Sequence, residues 1–220
     1  MTSTRDGNSQ WLADHWVLAF NTFFVIFAVL PMLAPVLLAN GYASLASLIY
    51  GMYGFTCHQM PSHSDVIAGH QVAVCQRCNA IHIMLAVGGI VYAIRLFRPP
   101  PLSFKWFLLF MIPIGIDGGT AFVSELSRFI PIYPLWIIGL IIIVGASILL
   151  HRQKLMTWQM YLFFAAGPIS LLLVQTFGPR ESSWWFRTVT GAIYALGAVW
   201  LIYPMLADST HQERQDSHIS

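Results

Sequence analysis

The chain alternates between long runs of apolar residues and short polar stretches. Each run approaches or exceeds the ~20 residues that an α-helix needs to cross a bilayer. The six runs are residues 16–39, 80–97, 105–122, 133–150, 158–177 and 188–206. This pattern predicts an all-α fold: a polytopic integral membrane helix bundle with about six transmembrane helices.

One connection is much longer than the others. Residues 40–79 separate the first two runs, and long loops of this kind commonly carry function. Its first part, ASLASLIYGMYGF, is apolar but too short to span, so it predicts an interfacial or re-entrant helix. Residues 55–79 form a Cys/His-rich loop. We expect residues 1–206 to form a single membrane domain and the polar residues 207–220 to be a disordered tail.

Composition narrows the class of protein. Hydrophobic residues make up 57% of the chain and charged residues only 9%, whereas soluble domains have about 25% charged residues. The lipid bilayer is therefore the expected partner. A net charge of +2 without a dense basic patch gives no basis for nucleic-acid binding. The chain also has no P-loop, dinucleotide fingerprint or HExxH motif.

The distribution of basic residues predicts the orientation. If both termini are cytoplasmic, seven basic residues face the cytoplasm, namely Arg5, Arg95, Arg98, Lys105, Arg152, Lys154 and Arg214. Four then face outward, namely Arg77, Arg128, Arg180 and Arg187. The positive-inside rule favours this arrangement. We therefore expect a multi-pass protein of the cell (cytoplasmic) membrane with its cysteine loop on the outer face.

All three cysteines and half of the eight histidines lie between residues 55 and 82. Cys75 and Cys78 form a CxxC pair, and Cys57 lies upstream of them. Three cysteines with one histidine match the Cys3His ligand set of a closed structural zinc site. Soft sulfur ligands also suit copper(I) or iron, so zinc is favoured by its frequency.

The residues alone leave the fourth ligand open among His58, His63, His70 and His82. His58 adjoins a cysteine, and neighbouring side chains diverge. If a helix begins near Cys75, His82 lies two turns, about 10 Å, further along it. His63 and His70 have the freedom of the loop. A disulfide, a thiol redox pair and simple apolar packing are the alternatives to a metal, although the odd cysteine weighs against a purely structural disulfide framework.

Several motifs carry a resemblance to a known family. The strings CHQMP at residues 57–61 and VCQRC at residues 74–78, with Ser64 and Gly69 between them, resemble the signature CHQxPxRS, a glycine, then PVCxRCxGIY. IDG at residues 116–118 and RESxxxxRxxTG at residues 180–191 look similar as well. The family comprises small bacterial and archaeal membrane proteins known only as a domain of unknown function. The resemblance covers about residues 55–197 and implies the cysteine site without implying an activity.

Departures from the signature help to rank the histidines. His63 stands where the family has arginine, Ala73 where it has proline, and Ala80, Ile81 and His82 where it has GIY. Because relatives carry tyrosine in the place of His82 and His58 lies within the matched motif, the resemblance favours His58. The candidate metal ligands are therefore Cys57, His58, Cys75 and Cys78, with His82, His63 and His70 as alternatives.

An acidic residue interrupts the third apolar run. Asp117 lies in GIDGG, and an ionisable group there costs several kcal/mol unless it is paired or hydrated. Arg187, at the start of the last run, is the expected partner. The pair is expected either to fix the order of the helices or to lie on a proton, ion or substrate pathway.

Three functions follow from these residues. The first is a metal site, with zinc favoured, in an extramembrane loop of a protein with a structural role or of an accessory subunit within a membrane complex. The second is a membrane thiol-disulfide oxidoreductase that uses the CxxC pair and a quinone. The third is a small transporter that uses Asp117. A single CxxC pair weighs against the second, and the lack of an inverted repeat weighs against the third.

The basic residues generate a topological prediction. A reporter fused after Leu206 should be cytoplasmic, because the positive-inside rule places both termini there. A membrane-impermeant thiol reagent should label the cysteine loop from outside once metal has been removed. Labelling only from the cytoplasmic side would invert the topology and place the cysteines in a reducing compartment.

Overall fold

The computed structural model describes residues 7–94, 99–154 and 157–219, with side chains for residues 15–94, 99–154 and 157–209. The helices in these residues are α1 Gly7–Ala39, α2 Ala43–Gly54, α3 Gln76–Ala93, α4 Phe104–Leu126, α5 Ile132–Arg152, α6 Trp158–Phe177 and α7 Trp184–Ile219. A 3₁₀ turn, Pro61–His63, and two short antiparallel strands, β1 Val66–Ile67 and β2 His70–Gln71, separate α2 from α3. The all-α fold class is confirmed.

Five helical segments of the described chain are long and apolar enough to cross a bilayer. They are His15–Ala39, Phe104–Leu126, Ile132–Arg152, Trp158–Phe177 and Trp184–Ser209. The expected second span, residues 80–97, corresponds to α3, which has only 18 residues and carries Arg77, Asn79 and His82 in its first two turns. The end of that expected span lies outside the described residues. A polytopic membrane protein is confirmed, and the sixth span stays a prediction.

The chain divides into two compact units. The first comprises the described residues of Met1–Leu102 and Ala198–Ser220, and the second comprises Ser103–Gly197. The helix α7 continues to Ile219, through the polar segment that was expected to be a disordered tail. That segment contains no glycine or proline, the residues that commonly end a helix. The single domain of residues 1–206 stays a prediction.

In the first unit, α2 folds back along α1. The chain turns at Gly41, whose φ of 84° lies in the left-handed region. Tyr53, near the end of α2, then places its ring 4.8 Å from that of Phe27. Because Phe27 lies twelve residues before α1 ends at Ala39, α2 runs beside the second half of α1. The loop that follows α2 therefore begins next to the middle of α1.

Two prolines in α1 create the attachment points for this loop. Pro31 and Pro35 have no backbone N–H, so the carbonyls four residues earlier, of Phe27 and Pro31, lose their usual helical partner. The Tyr53 hydroxyl donates to the Phe27 carbonyl at 2.7 Å. The Ala73 amide donates to the Pro31 carbonyl at 3.2 Å. Both freed carbonyls thus receive a hydrogen bond from the segment that carries the cysteines.

A polar contact joins three helices of the same unit. The Asn21 amide on α1 donates to the Gly89 carbonyl on α3 at 3.0 Å and accepts from the Tyr203 hydroxyl on α7 at 2.6 Å. A Cβ on residue 89 would lie 2.2 Å from both the Asn21 and the Tyr203 oxygen, so only glycine permits this approach.

In the second unit, α6 lies between α4 and α5. The α4–α6 contact is close, because a Cβ on Gly119 would lie 2.6 Å from the Ser170 Oγ atom. The helix α5 packs on α6 but leaves most of its apolar side chains exposed, as expected for a helix that faces lipid.

Pro31 leaves the Phe27 carbonyl without its helical N–H partner, and this carbonyl provides a test of how the loop is attached. Tyr53→Phe should destabilise the protein by about 1–2 kcal/mol, because it leaves that carbonyl without a donor in an apolar environment. In a Pro31→Ala background the same change should cost much less, since residue 31 then supplies a helical N–H to the Phe27 carbonyl. Thermal unfolding of the four proteins in detergent measures the coupling.

Tyr42→Phe serves as the matched control for this cycle. Tyr42 is 59% exposed, so removal of its hydroxyl should leave the unfolding temperature unchanged. Equal costs of Tyr53→Phe in both backgrounds would contradict the proposed role of Pro31.

Candidate metal centre and a buried carboxylate

The structure brings the three cysteines together at one end of α3. Cys57 follows α2 and is buried, Cys75 is the N-cap residue of α3, and Cys78 lies in its first turn. Their Sγ atoms all lie within 4.8 Å of one another. All three are free cysteines, so each sulfur is available as a ligand.

Two glutamines hold the loop that presents these cysteines. The side-chain amide of Gln59 donates to the carbonyls of Tyr50, at 2.7 Å, and Ala73, at 2.8 Å. The Gln71 amide donates to the Gln59 carbonyl at 2.6 Å and to the Ser64 hydroxyl at 3.1 Å. These bonds join the segment after Cys57 to the segment before Cys75, which brings the distant cysteines together.

A tight hairpin shortens the path between the two segments. Val66 pairs with Gln71 and Ile67 with His70 across β1 and β2. The two residues of the turn, Ala68 and Gly69, have φ values of 51° and 79°. Positive φ at both positions is typical of the two-residue hairpin turn that suits twisted strands. This turn explains the glycine between the two cysteine motifs.

The hydrogen bonds of the cluster favour a thiolate at Cys75. Hydrogen bonds from the Cys57 and Cys78 thiols, and then from the backbone N–H groups of Cys78 and Arg77, hold the pKa of Cys75 well below its usual range. The hydrogen bond to the Cys75 sulfur, together with burial, raises the pKa of Cys57, and hydrogen bonds to the Cys57 and Cys75 sulfurs raise the pKa of Cys78. The Cys75 amide also donates to the Cys57 sulfur at 3.1 Å. A helix N-terminus adds to the stabilisation of negative charge at these sulfurs.

The predicted histidine ligands occupy different places. His58 and His63 line a pocket of about 170 Å³ together with the three cysteines and Arg77. His58 is exposed, whereas His63 is partly buried. Among the described residues, no histidine nitrogen joins the group of three sulfurs that lie within 4.8 Å of one another. The structure thus brings the three predicted sulfur ligands together, and both metal binding and the identity of a fourth ligand stay predictions.

His82 and His70 lie outside the lining of this pocket. The His82 ring packs against Phe27 and Tyr53, with centroid distances of 4.5 and 6.0 Å. It is 7% exposed, and its Nδ1 atom has no hydrogen-bond partner in the described part of the chain. His70 lies on β2. His82 and His70 therefore stay alternatives in the predicted ligand set.

The second unit contains the buried carboxylate predicted from the sequence. Asp117, on α4, is 5% exposed. The Ser182 hydroxyl donates to Asp117 Oδ1 at 2.5 Å, and the Thr190 hydroxyl lies 3.4 Å from Oδ2. Arg187, one turn before Thr190 on α7, is also 5% exposed. The structure thus buries Asp117 and Arg187 in the same unit, and their direct pairing stays a prediction.

Sequence reasoning missed the hydroxyl partners of Asp117. Ser182, Arg187 and Thr190 are all fixed letters of the RESxxxxRxxTG pattern, and Asp117 belongs to the IDG string. The same pattern contains Arg180, whose amide donates to the Ser124 hydroxyl on α4 at 3.0 Å. Two strings far apart in the sequence therefore converge on one polar cluster, and their joint resemblance to one family was the available signal.

The fold and the sulfur cluster together define an all-α, polytopic membrane protein with three convergent cysteines. The profile of a family described as "Predicted membrane protein (DUF2085)" matches residues 57–133. The chain is also 36% identical over 113 residues to the uncharacterized protein MJ1492 of Methanocaldococcus jannaschii, over 48% of this chain and 72% of that protein. The chain belongs to this family. No solved structure matches it significantly.

The match confirms the family that the sequence resemblance indicated. The matched residues begin at Cys57 and include the cysteine loop, α3 and α4 with Asp117. They end before α7, which carries Arg187 and Thr190.

The buried carboxylate generates a double-mutant prediction. Asp117→Asn and Arg187→Gln should each destabilise the protein by about 3 kcal/mol, because each leaves a buried charge without its counterpart. The double variant should cost less than the sum of the two by more than about 0.5 kcal/mol. Thermal unfolding in detergent measures all three values.

An exposed ion pair at the end of α4 provides the control. Glu125 and Arg128 form an ion pair at 3.2 Å, with side chains 55% and 58% exposed. Glu125→Gln should therefore leave the unfolding temperature nearly unchanged. Additive effects of the Asp117 and Arg187 changes would mean that the two charges do not interact.

Proposed function

We propose that the protein binds one soft metal ion, zinc by preference, through Cys57, Cys75 and Cys78. The observation that carries this proposal is the mutual approach of the three sulfurs within 4.8 Å. A tetrahedral zinc ion with Zn–S bonds of about 2.3 Å places its sulfur ligands less than 4 Å apart. Small rotations of the three side chains therefore suffice to complete the site.

His58 is the proposed fourth ligand. It lines the same pocket as the cysteines, and its exposure leaves the ring free to rotate towards the sulfurs. His63 lines the pocket too and is the alternative. His82 is held between aromatic rings beside α1, and His70 lies on the hairpin, so both are less suited to ligation.

A closed Cys3His site gives the ion a structural role. The ion would join the chain after α2 to the first turn of α3, and it would neutralise thiolates that lie beside the apolar middle of α1. A filled coordination shell has no position for a substrate. The corresponding function is that of a structural membrane protein or of an accessory subunit of a membrane complex, with the ion fixing the positions of the three cysteine side chains.

The thiol-disulfide oxidoreductase is the second candidate. It is favoured by the position of the CxxC pair at the start of α3, beside a pocket that a partner dithiol can enter. Oxidation of that dithiol to a disulfide would reduce a Cys75–Cys78 disulfide to two thiols, and a membrane quinone would accept two electrons and two protons, becoming a quinol, as the pair returns to its disulfide. Transport through Asp117 is less favoured, because Ser182 already satisfies one carboxylate oxygen.

The proposed location is the cytoplasmic membrane, with both termini in the cytoplasm and the cysteine loop towards the outer face. This arrangement requires six spans and therefore requires α3 to cross the membrane. Because the loop lies beside α1, the proposed metal ion would lie closer to the bilayer than an ion held in a loop beyond the end of the helix.

Metal analysis tests the proposed function. Purified protein should contain about one zinc ion per chain, and Cys75→Ser should reduce this to less than about a tenth, because a missing thiolate opens a closed site. His58→Ala should keep the three sulfurs but release the ion at a lower chelator concentration. Elemental analysis and chelator titration measure these quantities.

His70→Ala is the matched control, since it removes a histidine of the same loop that does not line the pocket. Its zinc content should equal that of the unaltered protein. Metal-free protein with an oxidised cysteine pair would replace the structural proposal with the oxidoreductase.

A further inference from the structure

The second unit contains a groove that none of these functions uses. It has a volume of about 400 Å³ and lies between the last turn of α5 and the first turn of α6. Ser147, Ile148, His151, Arg152 and Tyr161 line it. Since α5 and α6 are both long enough to cross a bilayer, the groove lies at the level where lipid headgroups begin.

The polar groups of this groove suit an anion. Arg152 supplies a permanent positive charge with several N–H donors, and Ser147 and Tyr161 supply hydroxyl donors. Lys154, two residues beyond Arg152, adds a further positive charge. No aspartate or glutamate occurs between Arg128 and Glu181, so neither helix carries an acid to neutralise these charges. The local field therefore favours a phosphate group.

The apolar side of the groove favours a lipid over a soluble phosphate. Ile148 is 50% exposed and continues into a row of exposed residues on α5, including Ile141 and Val144. Gly145 has open space around it, with no atom within 4 Å of the position that a Cβ would occupy. An acyl chain that descends from the groove would meet an apolar, uneven helix surface with room beside the glycine.

We propose that this groove binds an anionic phospholipid. Arg152 and His151 bind its phosphate, the Tyr161 and Ser147 hydroxyls donate to the phosphate or glycerol oxygens, and the acyl chain lies along α5 past Gly145. Basic pockets between helix ends are the usual form of such sites. The site is distinct from the proposed metal centre, because the two lie in different units of the chain.

Lipid-dependent stability tests the proposal. The full-length protein in detergent is titrated with phosphatidylglycerol or phosphatidylcholine, and the unfolding temperature is recorded. Phosphatidylglycerol should raise it by several degrees more than phosphatidylcholine. His151→Gln combined with Arg152→Gln should remove at least half of that difference, while Arg152→Lys, which keeps the charge, should retain most of it.

Two controls make the outcome decisive. Lys105→Gln removes a basic residue at another helix end that does not line the groove, and it should leave the difference between the two lipids intact. Glycerol phosphate, which has the same charged group without acyl chains, should produce no shift at equal concentration. An equal response to both lipids, a full response in the double glutamine variant, or a full response to glycerol phosphate would each overturn the proposal.

Discussion

The architecture depends on one constraint: a bilayer offers no hydrogen-bond partner to a polar group, so the protein must supply each one. Prolines at positions 31 and 35 break this rule inside α1, because they free the carbonyls of Phe27 and Pro31. The chain repairs the defect with the Tyr53 hydroxyl and the Ala73 amide. Since Tyr53 lies four residues before Cys57 and Ala73 lies two residues before Cys75, the repair also determines where the sulfurs meet.

The same constraint explains the polar cluster of the second unit. A carboxylate on α4 requires donors at its own depth, and the chain between α6 and α7 provides one by burying Ser182 against it. The Ser124 hydroxyl, about two turns further along α4, accepts a hydrogen bond from the Arg180 amide and fixes the start of this segment. A charged residue in an apolar helix thus dictates the course of a loop far away in the sequence.

Much of this arrangement could be predicted from the sequence, and there are physical reasons why the rest could not. The apolar runs predicted the bilayer-length segments of α1, α4, α5, α6 and α7 within a few residues, because length and hydropathy are properties of the local sequence. The CxxC pair predicted the sulfur cluster, because residues at that spacing converge at a helix start. The role of Gln59 was not predictable, since its partners Tyr50 and Ala73 are brought together only by tertiary structure. Hydropathy also does not define how much of α3 crosses the membrane, because the polar residues Asn79 and His82 occupy its first turns.

The loop has anchors that do not involve its sulfurs, and this shapes what a metal ion adds. The bonds to the Phe27 and Pro31 carbonyls and the two bonds of the Gln59 amide use only backbone, hydroxyl and amide groups. In small zinc domains the ion supplies most of the folding free energy, because little else holds the chain. Here the helix α1 already holds the loop, so an ion would fix the side chains of Cys57, Cys75 and Cys78 and their charge more than the course of the backbone. A metal site of this kind can lose a ligand while the surrounding helices stay folded, which separates the chemistry of the centre from the stability of the protein that carries it.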